Sequence, residues 1–329
     1  MEGFCIRRRT LGALAGAAVG SIAFPAIAQA WPARPIRLFV GFAPGGLTDV
    51  IARIMAQGLA ERLGQQMVIE NRAGAGGNLA TEAVARATAD GYTLLAGFDG
   101  TFTINPHLYS RLPFDPVRDF APVAKIADVP VLVVGHPALP GRNLADVVAH
   151  ARANPNEVTY ASGGVGTTGH LLGELICQQA GVRMTHIPFR GGGQAIAEVM
   201  AGRVNMLFAG VPAARGHVLS GQVRGLAVSS GGRSPALPEV PSMAEQGFRD
   251  INVNSWVSLK APARTPPEVL ARLERDAVAT LANPETATKL REQGGTPGTV
   301  TPAAFAAEIA AEAMRWQRVI AAANIRMEG

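Results

Sequence analysis

The chain has 329 residues and a formal net charge of +5 at pH 7, with 17% charged and 5% aromatic residues. Its basic residues are spread along the sequence and its aromatic residues are sparse, so composition argues against a nucleic-acid-binding protein. The length is enough for two ordinary domains or one large one.

The first thirty residues have the layout of a secretory signal peptide. Three arginines at 7–9 precede a weakly apolar run at 11–27, and Ala28 and Ala30 fit a small-x-small cleavage pattern. A membrane anchor is the alternative, but the run is short and Pro25 interrupts it. We therefore expect cleavage after Ala30 and a periplasmic location. The arginines fit either a Sec or a twin-arginine signal, so the export route stays open.

In chain order, the remaining sequence alternates between strands and helices. Strands are predicted at 36–42, 67–70, 93–97, 131–134, 158–161, 184–187, 204–208 and 225–228. Helices are predicted at 48–63, 78–87, 144–153, 168–180, 194–201 and 213–219, and three more at 266–281, 284–293 and 302–323. This alternation is typical of an α/β fold, in which mainly parallel sheets are covered by helices.

The two sets of strand–helix units indicate two domains rather than one long sheet. We place domain 1 at residues 31–130 and 253–329, and domain 2 at residues 131–252. The three C-terminal helices would pack on domain 1. Because ligands of open α/β sheets bind beyond the C-terminal ends of the strands, a cleft between the domains is the expected site.

The turn between the first strand and the first helix predicts an anion site. Gly45 and Gly46 let the backbone approach a ligand closely, and Thr48 or Asp49 can cap the helix that follows. Free N–H groups at a helix N-terminus favour a carboxylate. The alternative is a plain tight turn with a good N-cap, because glycine-rich turns are common in α/β proteins.

Two more glycine-rich turns follow strands of the predicted second domain. The turn at 162–170 carries the hydroxyls of Ser162, Thr167 and Thr168, which can donate to a carboxylate, and three consecutive glycines occupy 191–193. Turns from both domains would face one cleft. Together they indicate anion binding more strongly than any one of them does.

Motifs of common enzymes, cofactor sites and metal sites are missing from the sequence. There is no P-loop, no dinucleotide-binding glycine fingerprint after the first strand, no G-x-S-x-G elbow, no H-E-x-x-H and no cysteine cluster. Cys177 is the one cysteine after the predicted cleavage site, and its helical spacing with apolar residues favours a buried structural thiol. We predict no catalytic residue, no cofactor and no metal ligand. The absence of motifs does not exclude an enzyme, but it leaves one without a candidate nucleophile, and we expect a protein that is not an enzyme.

A series of short motifs runs in order along nearly the whole chain after residue 30. They are WPARPIRL at 31–38, FAPGGLTD at 42–49, ENRAGAGG at 70–77, DGYTLL at 90–95, NPHLY at 105–109, HIPFRGG at 186–192, APARTP at 261–266 and EAMRW at 312–316. In these motifs the chain resembles the Bug/TctC family, the periplasmic substrate-binding components of tripartite tricarboxylate transporters.

The resemblance implies a two-domain periplasmic-binding-protein fold, of the Venus flytrap type, that captures a small di- or tricarboxylate or an aromatic acid. It also implies delivery to the membrane permease subunits of such a transporter, and we expect a monomer. Carried over to this chain, the family's ligand-binding loops give the residues Phe42, Gly45, Gly46, Thr48, Asp49, Ser162, Gly166, Thr167, His170, Gly191 and Gly192. Asp49 suits capping or water positioning better than direct contact, since its charge would repel a carboxylate.

Two further positions concern specificity. Thr101 lies in the segment 97–103, which departs from the small, Ser- and Asn-rich stretch of the family, and Phe98 or Phe102 in that segment can shape the pocket. Ala209 stands where relatives that bind amino acids often carry an acidic residue, so we expect a carboxylate without an ammonium group.

Two other functions stay open at the level of sequence. An exported hydrolase would also use a cleft between domains, but it needs a converging nucleophile, base and orienting group. A binding protein that reports to a membrane sensor kinase would have the same ligand cleft as a transport protein.

Overall fold

The strands of the protein follow the predicted order closely. The computed structural model describes residues 31–323 and 325, so the predicted signal peptide lies outside the described residues. The strands are β1 (Ile36–Val40), β2 (Met67–Asn71), β3 (Thr93–Phe98), β4 (Phe120–Gly135), β5 (Thr159–Ser162), β6 (Thr185–Pro188), β7 (Met206–Gly210), β8 (Arg224–Val228), β9 (Asn254–Pro262) and β10 (Thr296–Pro297).

Helices separate most of these strands and close the chain. They are α1 (Leu47–Leu63), α2 (Asn78–Ala85), α3 (Asp99–Thr103), α4 (Asn105–Leu108), α5 (Leu144–Ala153), α6 (Thr168–Ala180), α7 (Gly192–Met200), α8 (Arg215–Leu219), α9 (Pro267–Leu281), α10 (Pro284–Glu292) and α11 (Pro302–Ala323). Every predicted helix and strand is confirmed, with ends that differ by at most two residues except in β4. Within the described residues, none of the helices is long and apolar enough to cross a membrane.

The sheet is parallel towards both ends and antiparallel in the middle. Its order is β2-β1-β3-β9-β4-β7-β5-β6, with β8 and β10 also paired to β4. The parallel pairs are β1 with β2 and β3, and β5 with β6 and β7. These are the strands that alternate with helices in sequence, which confirms the α/β fold class. The antiparallel pairs all involve β4 or β9.

Strand β4 runs through the middle of the sheet and changes partners along its length. Phe120–Pro130 pairs with β9, whereas Val131–Gly135 pairs with β7 and β8. Only 131–134 was predicted as strand, because Pro122, Lys125 and Pro130 weaken the strand pattern of the first part. The proposed domain limits at 130/131 and 252/253 fall where β4 changes partner and just before β9 begins.

The core explains why the helices take these positions. In α1, Ile51, Met55 and Leu59 recur at four-residue spacing and are fully buried in the largest apolar cluster. Cys177 on α6 is half-buried, and burial raises the pKa of its thiol to about 11. A thiol with such a pKa is a poor nucleophile at neutral pH, consistent with the structural role predicted for it.

Candidate functional site

The glycine-rich turns meet at the C-terminal ends of the parallel strands. The N–H of Ala43, after β1, donates to the carbonyl of Arg190, after β6, at 3.0 Å. A Cβ added to Gly193 would lie only 2.4 Å from the carbonyl oxygen of Pro44. The first and third turns are therefore in direct backbone contact, and a side chain at Gly193 would force them apart.

A narrow pocket lies beneath this contact. Six of the predicted ligand-binding residues line it: Phe42, Gly46, Thr48, Thr167, Gly192 and Ala209. The rest of the lining, most of it apolar or glycine, consists of Leu47, Phe98, Val131, Gly163, Thr168, Gly169, Phe208, Gly210 and Ser255. A larger open cavity beside it shares Phe42 and Gly163 and is bordered by the exposed Arg190.

The N-terminus of α1 opens on this pocket. Gly46 is the N-cap, and no side chain caps the helix there, so the prediction that Thr48 or Asp49 caps it is wrong. The helix begins one residue earlier than predicted, which places Thr48 inside its first turn. Within the described chain the Thr48 hydroxyl makes no hydrogen bond. Backbone N–H groups and one hydroxyl are thus left for a ligand.

Asp49 does not line the pocket, and its carboxylate instead stabilises the first turn by hydrogen bonds. Its carboxylate accepts hydrogen bonds from the N–H of Gly45 at 3.0 Å, from Arg53 at 2.8 and 3.0 Å and from Asn71 at 2.9 Å. Burial alone would raise the pKa of Asp49, but these partners outweigh it and lower the pKa below its usual value. The buried carboxylate therefore fixes Gly45, which has a left-handed φ of +81°, in its turn.

The polar side chains of the second turn bond to backbone groups of the turn itself and to side chains outside it. The Ser162 hydroxyl lies 2.7 Å from Nε2 of His186 and accepts from the N–H of Gly164 at 3.1 Å. Thr167 caps α6 by accepting from the N–H of His170. Ser162 and His170 do not line the pocket.

The His170 ring stacks on the His186 ring with the centroids 4.0 Å apart. Burial lowers the pKa of His170 to about 4, and burial together with the charge of His170 lowers that of His186 to about 3. At neutral pH both rings are uncharged, so they supply no positive charge for an anion. Their role in the described structure is to hold the second turn in place.

Four other predicted residues also lie outside the pocket, and Gly45 of the first turn is one of them. Thr101 donates to the carbonyl of Gly76 at 3.0 Å, which ties α3 to the loop before α2. A Cβ on Gly166 would lie 2.5 Å from Oδ1 of Asn105, so glycine permits that approach. Gly191 is the N-cap of α7 and packs on Ala43. Their part in ligand binding stays a prediction.

Sequence reasoning missed one buried acid next to the pocket. Asp99, the first residue of α3, has no exposed surface and bonds to the hydroxyls of Thr168 and Ser255, both of which line the pocket. The available signal was the departure of the segment 97–103 from the family pattern. Phe98, named from the same segment, does line the pocket and packs edge-on against Phe42 at 4.8 Å.

No set of three or more His, Cys, Asp or Glu side chains that could hold a metal ion occurs among the described residues. The arrangement is therefore a small, largely apolar pocket with a few polar groups in its lining. Its unused donors are the N–H groups at the N-terminus of α1 and the hydroxyl of Thr48. The hydroxyls of Thr167, Thr168 and Ser255 also line it, but they donate to Gly164 and Asp99.

Comparison with known proteins gives matches along most of the chain. The sequence model of the tripartite tricarboxylate transporter family receptor matches residues 51–325. Protein BugT of Bordetella pertussis is 37% identical over 304 residues, which cover 92% of this chain and 93% of that protein.

Solved structures agree in fold. R. palustris Rpa4515 with adipate superposes with a TM-score of 0.87 at 37% identity, over 90% of this chain and 99% of the other. The periplasmic binding protein BugD gives 0.86 at 30% identity, over 91% and 100%. MatC from Rhodopseudomonas palustris with bound malate gives 0.83 at 30% identity, over 88% and 100%. These similarities confirm the predicted periplasmic-binding-protein fold.

Proposed function

Because the chain belongs to the tripartite tricarboxylate transporter receptor family, we propose that it captures a small dicarboxylate and delivers it to the permease subunits of such a transporter. The observation that carries the proposal is the N-terminus of α1, which lacks a side-chain cap and opens on the pocket beside the Thr48 hydroxyl. Charge-assisted hydrogen bonds from such groups are the strong ones, and they suit a carboxylate.

The shape of the lining favours an acid with a short carbon skeleton. Phe42, Phe98, Leu47, Val131 and Phe208 give the pocket apolar walls against which methylene groups can pack. Arg190 borders the adjoining open cavity, where it can attract a second carboxylate. Adipate and malate, which Rpa4515 and MatC bind, are dicarboxylates of this kind.

The absence of an acidic side chain at 209 also bears on the ligand. Ala209 lines the pocket and offers no partner for an ammonium group, which supports a carboxylate that is not an amino acid. Simple capture also needs no converging nucleophile and base. It is therefore favoured over hydrolysis.

We further propose that the chain acts as an exported monomer, cleaved after Ala30. In this proposal residues 31–130 with 253–329 form one domain, residues 131–252 form the other, and the two close on the ligand. The backbone hydrogen bond between Ala43 and Arg190 would then be a contact of the closed form. Delivery to a permease, rather than to a sensor kinase, is supported by the family to which the chain belongs.

Calorimetric titration of the protein beginning at Trp31 tests the proposal. The ligands are adipate, malate, their monocarboxylate counterparts and a neutral sugar. We expect a dicarboxylate to bind and to raise the melting temperature by mass action. Binding of the sugar without binding of any carboxylate would contradict the proposal. Uptake of the bound acid into vesicles that contain the permease, with and without the protein, tests delivery.

A further inference from the structure

Asp99 occupies the centre of a buried hydrogen-bond group directly behind the pocket. Its Oδ2 bonds to the hydroxyl of Thr168 on α6, and its Oδ1 bonds to the hydroxyl of Ser255 on β9 at 2.5 Å. Thr168 and Ser255 are each 1% exposed and line the pocket, whereas Asp99 is fully buried. Asp99 can therefore act on a ligand only through these two hydroxyls.

The protonation state of Asp99 decides what the two hydroxyls offer to a ligand. Each hydroxyl has one hydrogen and two lone pairs. When Asp99 is ionised, both hydrogens point to its oxygens and the pocket faces lone pairs, which repel a carboxylate. When Asp99 is protonated, it donates to one hydroxyl, and the hydrogen of that hydroxyl is free to bond to the ligand.

The surroundings of Asp99 favour its neutral form. Burial and the charge of Glu312 on α11 raise the pKa of Asp99 to about 8, although Ser255, Thr168 and the N–H of Gly100 oppose the rise. Within the described chain, no basic side chain forms an ion pair with Asp99. The positive charges of Arg315 and Lys125 lower the pKa of Glu312 rather than that of Asp99.

We propose that Asp99 is a positioning residue that is neutral whenever a carboxylate is bound, and that takes up a proton on binding where it was ionised before, so that Thr168 or Ser255 donates a hydrogen bond to the ligand. The proton comes from solvent, no covalent bond other than the new O–H is formed, and the anion enters with its charge balanced. The inference rests on the proposed capture of a carboxylate and specifies how the pocket achieves it.

The sign of the expected pH dependence follows from linkage. A bound anion favours neutral Asp99 further, so the pKa of Asp99 is higher in the complex than in the free protein. The affinity for the carboxylate is constant at pH values below the pKa that Asp99 has in the free protein. It then falls by up to about tenfold per pH unit as the pH rises between the two pKa values, with up to one proton taken up.

Three other titratable groups lie near Asp99 or the pocket. Burial lowers the pKa of His170, two residues after Thr168, to about 4, which is well below this range. Burial lowers the pKa of Lys260 on β9 to about 8, so Lys260 titrates in the same range and needs its own control. Glu312 accepts hydrogen bonds from the indole N–H groups of Trp256 and Trp316, yet burial raises its pKa as well, so it also needs its own control.

The test is calorimetric titration with adipate or malate between about pH 6 and about pH 9, each in two buffers that differ in ionisation enthalpy. The wild type is expected to take up a proton increasingly above neutral pH. Asp99→Asn should abolish that uptake and make affinity independent of pH, because an amide donates one hydrogen bond and accepts another without titrating. At the upper pH it should bind up to about tenfold more tightly than the wild type.

Control variants separate the alternatives. Lys260→Met and the exposed Asp250→Asn should keep the proton uptake. Glu312→Gln removes a neighbouring negative charge, so it should move the fall in affinity to lower pH. Carboxylate binding by the wild type without proton uptake overturns the inference and needs no variant. Uptake that persists in Asp99→Asn, or that is lost in Lys260→Met instead, overturns it as well. If the wild type binds no carboxylate at any pH, the proposed function itself fails.

Discussion

The two glycine-rich turns that open α1 and α6 look alike in sequence and differ in structure. In the first, the helix has no side-chain cap, and the carboxylate of Asp49 braces the turn from behind. In the second, Thr167 caps the helix and Thr168 bonds to Asp99. The first turn thus leaves donors unused, whereas the second uses most of its own.

The difference comes from residues outside the turns. Asn71 and Arg53 bond to Asp49, which does not line the pocket, and Thr48 is left as the polar side chain of the first turn that does. The hydroxyl of Ser162 is hydrogen-bonded to His186. A glycine-rich turn with Ser or Thr before a helix therefore indicates a binding site. Residues on the neighbouring strand determine which hydrogen-bonding groups of that turn are left for a ligand.

The largest expected difference between the two turns is in their stability at acidic pH. The pKa values of His170 and His186 are lowered by folding, so their stabilising contribution is present above the unfolded value of 6.5 and is lost as pH falls through about 4. The free energy of unfolding should fall by up to about 1.4 kcal/mol per pH unit for each histidine. Asp49 has a lowered pKa too, and its contribution is lost only below its unfolded value of 3.8.

Amide hydrogen exchange at several pH values checks this contrast. Between pH 6.5 and about pH 4, the second turn should lose protection while the first keeps it. His186→Gln, which retains a partner for Ser162 but does not titrate, should weaken the dependence. Equal loss in both turns would show that the histidines do not govern the second one.

The next effect concerns the contact between the first and third turns. Gly193→Ala places a methyl group 2.4 Å from the carbonyl of Pro44, so closure should be hindered and dicarboxylate affinity should fall by up to about a hundredfold. Gly216→Ala is the matched control, because nothing lies within 4 Å of its Cβ. Calorimetry of both variants measures the effect. Equal affinities would remove this contact from the binding mechanism.

The smallest effect distinguishes hydroxyls in the two turns. Thr48→Val should lower affinity by about tenfold without lowering the melting temperature, because its hydroxyl faces the pocket. Ser162→Ala should instead cost about 1–2 kcal/mol of stability, because His186 loses its partner. Denaturant unfolding and calorimetry on both variants are the measurements. A loss of affinity in Ser162→Ala with unchanged stability would contradict the structural role of the Ser162 hydroxyl.

Much of the fold was predictable because local patterns dictate it. The spacing of Ile51, Met55 and Leu59 determines the buried face of α1, and Asn283 with Pro284 determines the start of α10. Strand β9 was not predicted, because its polar residues, among them Ser255 and Lys260, are buried by antiparallel neighbours that a local pattern does not reveal.

The site was predictable to the level of its turns but not of its side chains. Phe42, Gly46 and Thr48 line the pocket, because the turn from β1 into α1 brings them there, and their part in ligand binding stays a prediction. Sequence does not show where a side chain points when a distant partner decides it. For that reason it missed Asp99, whose partners lie 69 and 156 residues away.

The indoles around Glu312 also give the protein an internal optical probe. Trp256 follows Ser255, a pocket residue, directly in sequence, and its ring is almost fully buried. Both Trp256 and Trp316 donate to the carboxylate of Glu312, the same acid that influences Asp99. Indole emission depends on nearby charge and polarity, so occupancy of the pocket can be followed by intrinsic fluorescence without attaching any dye.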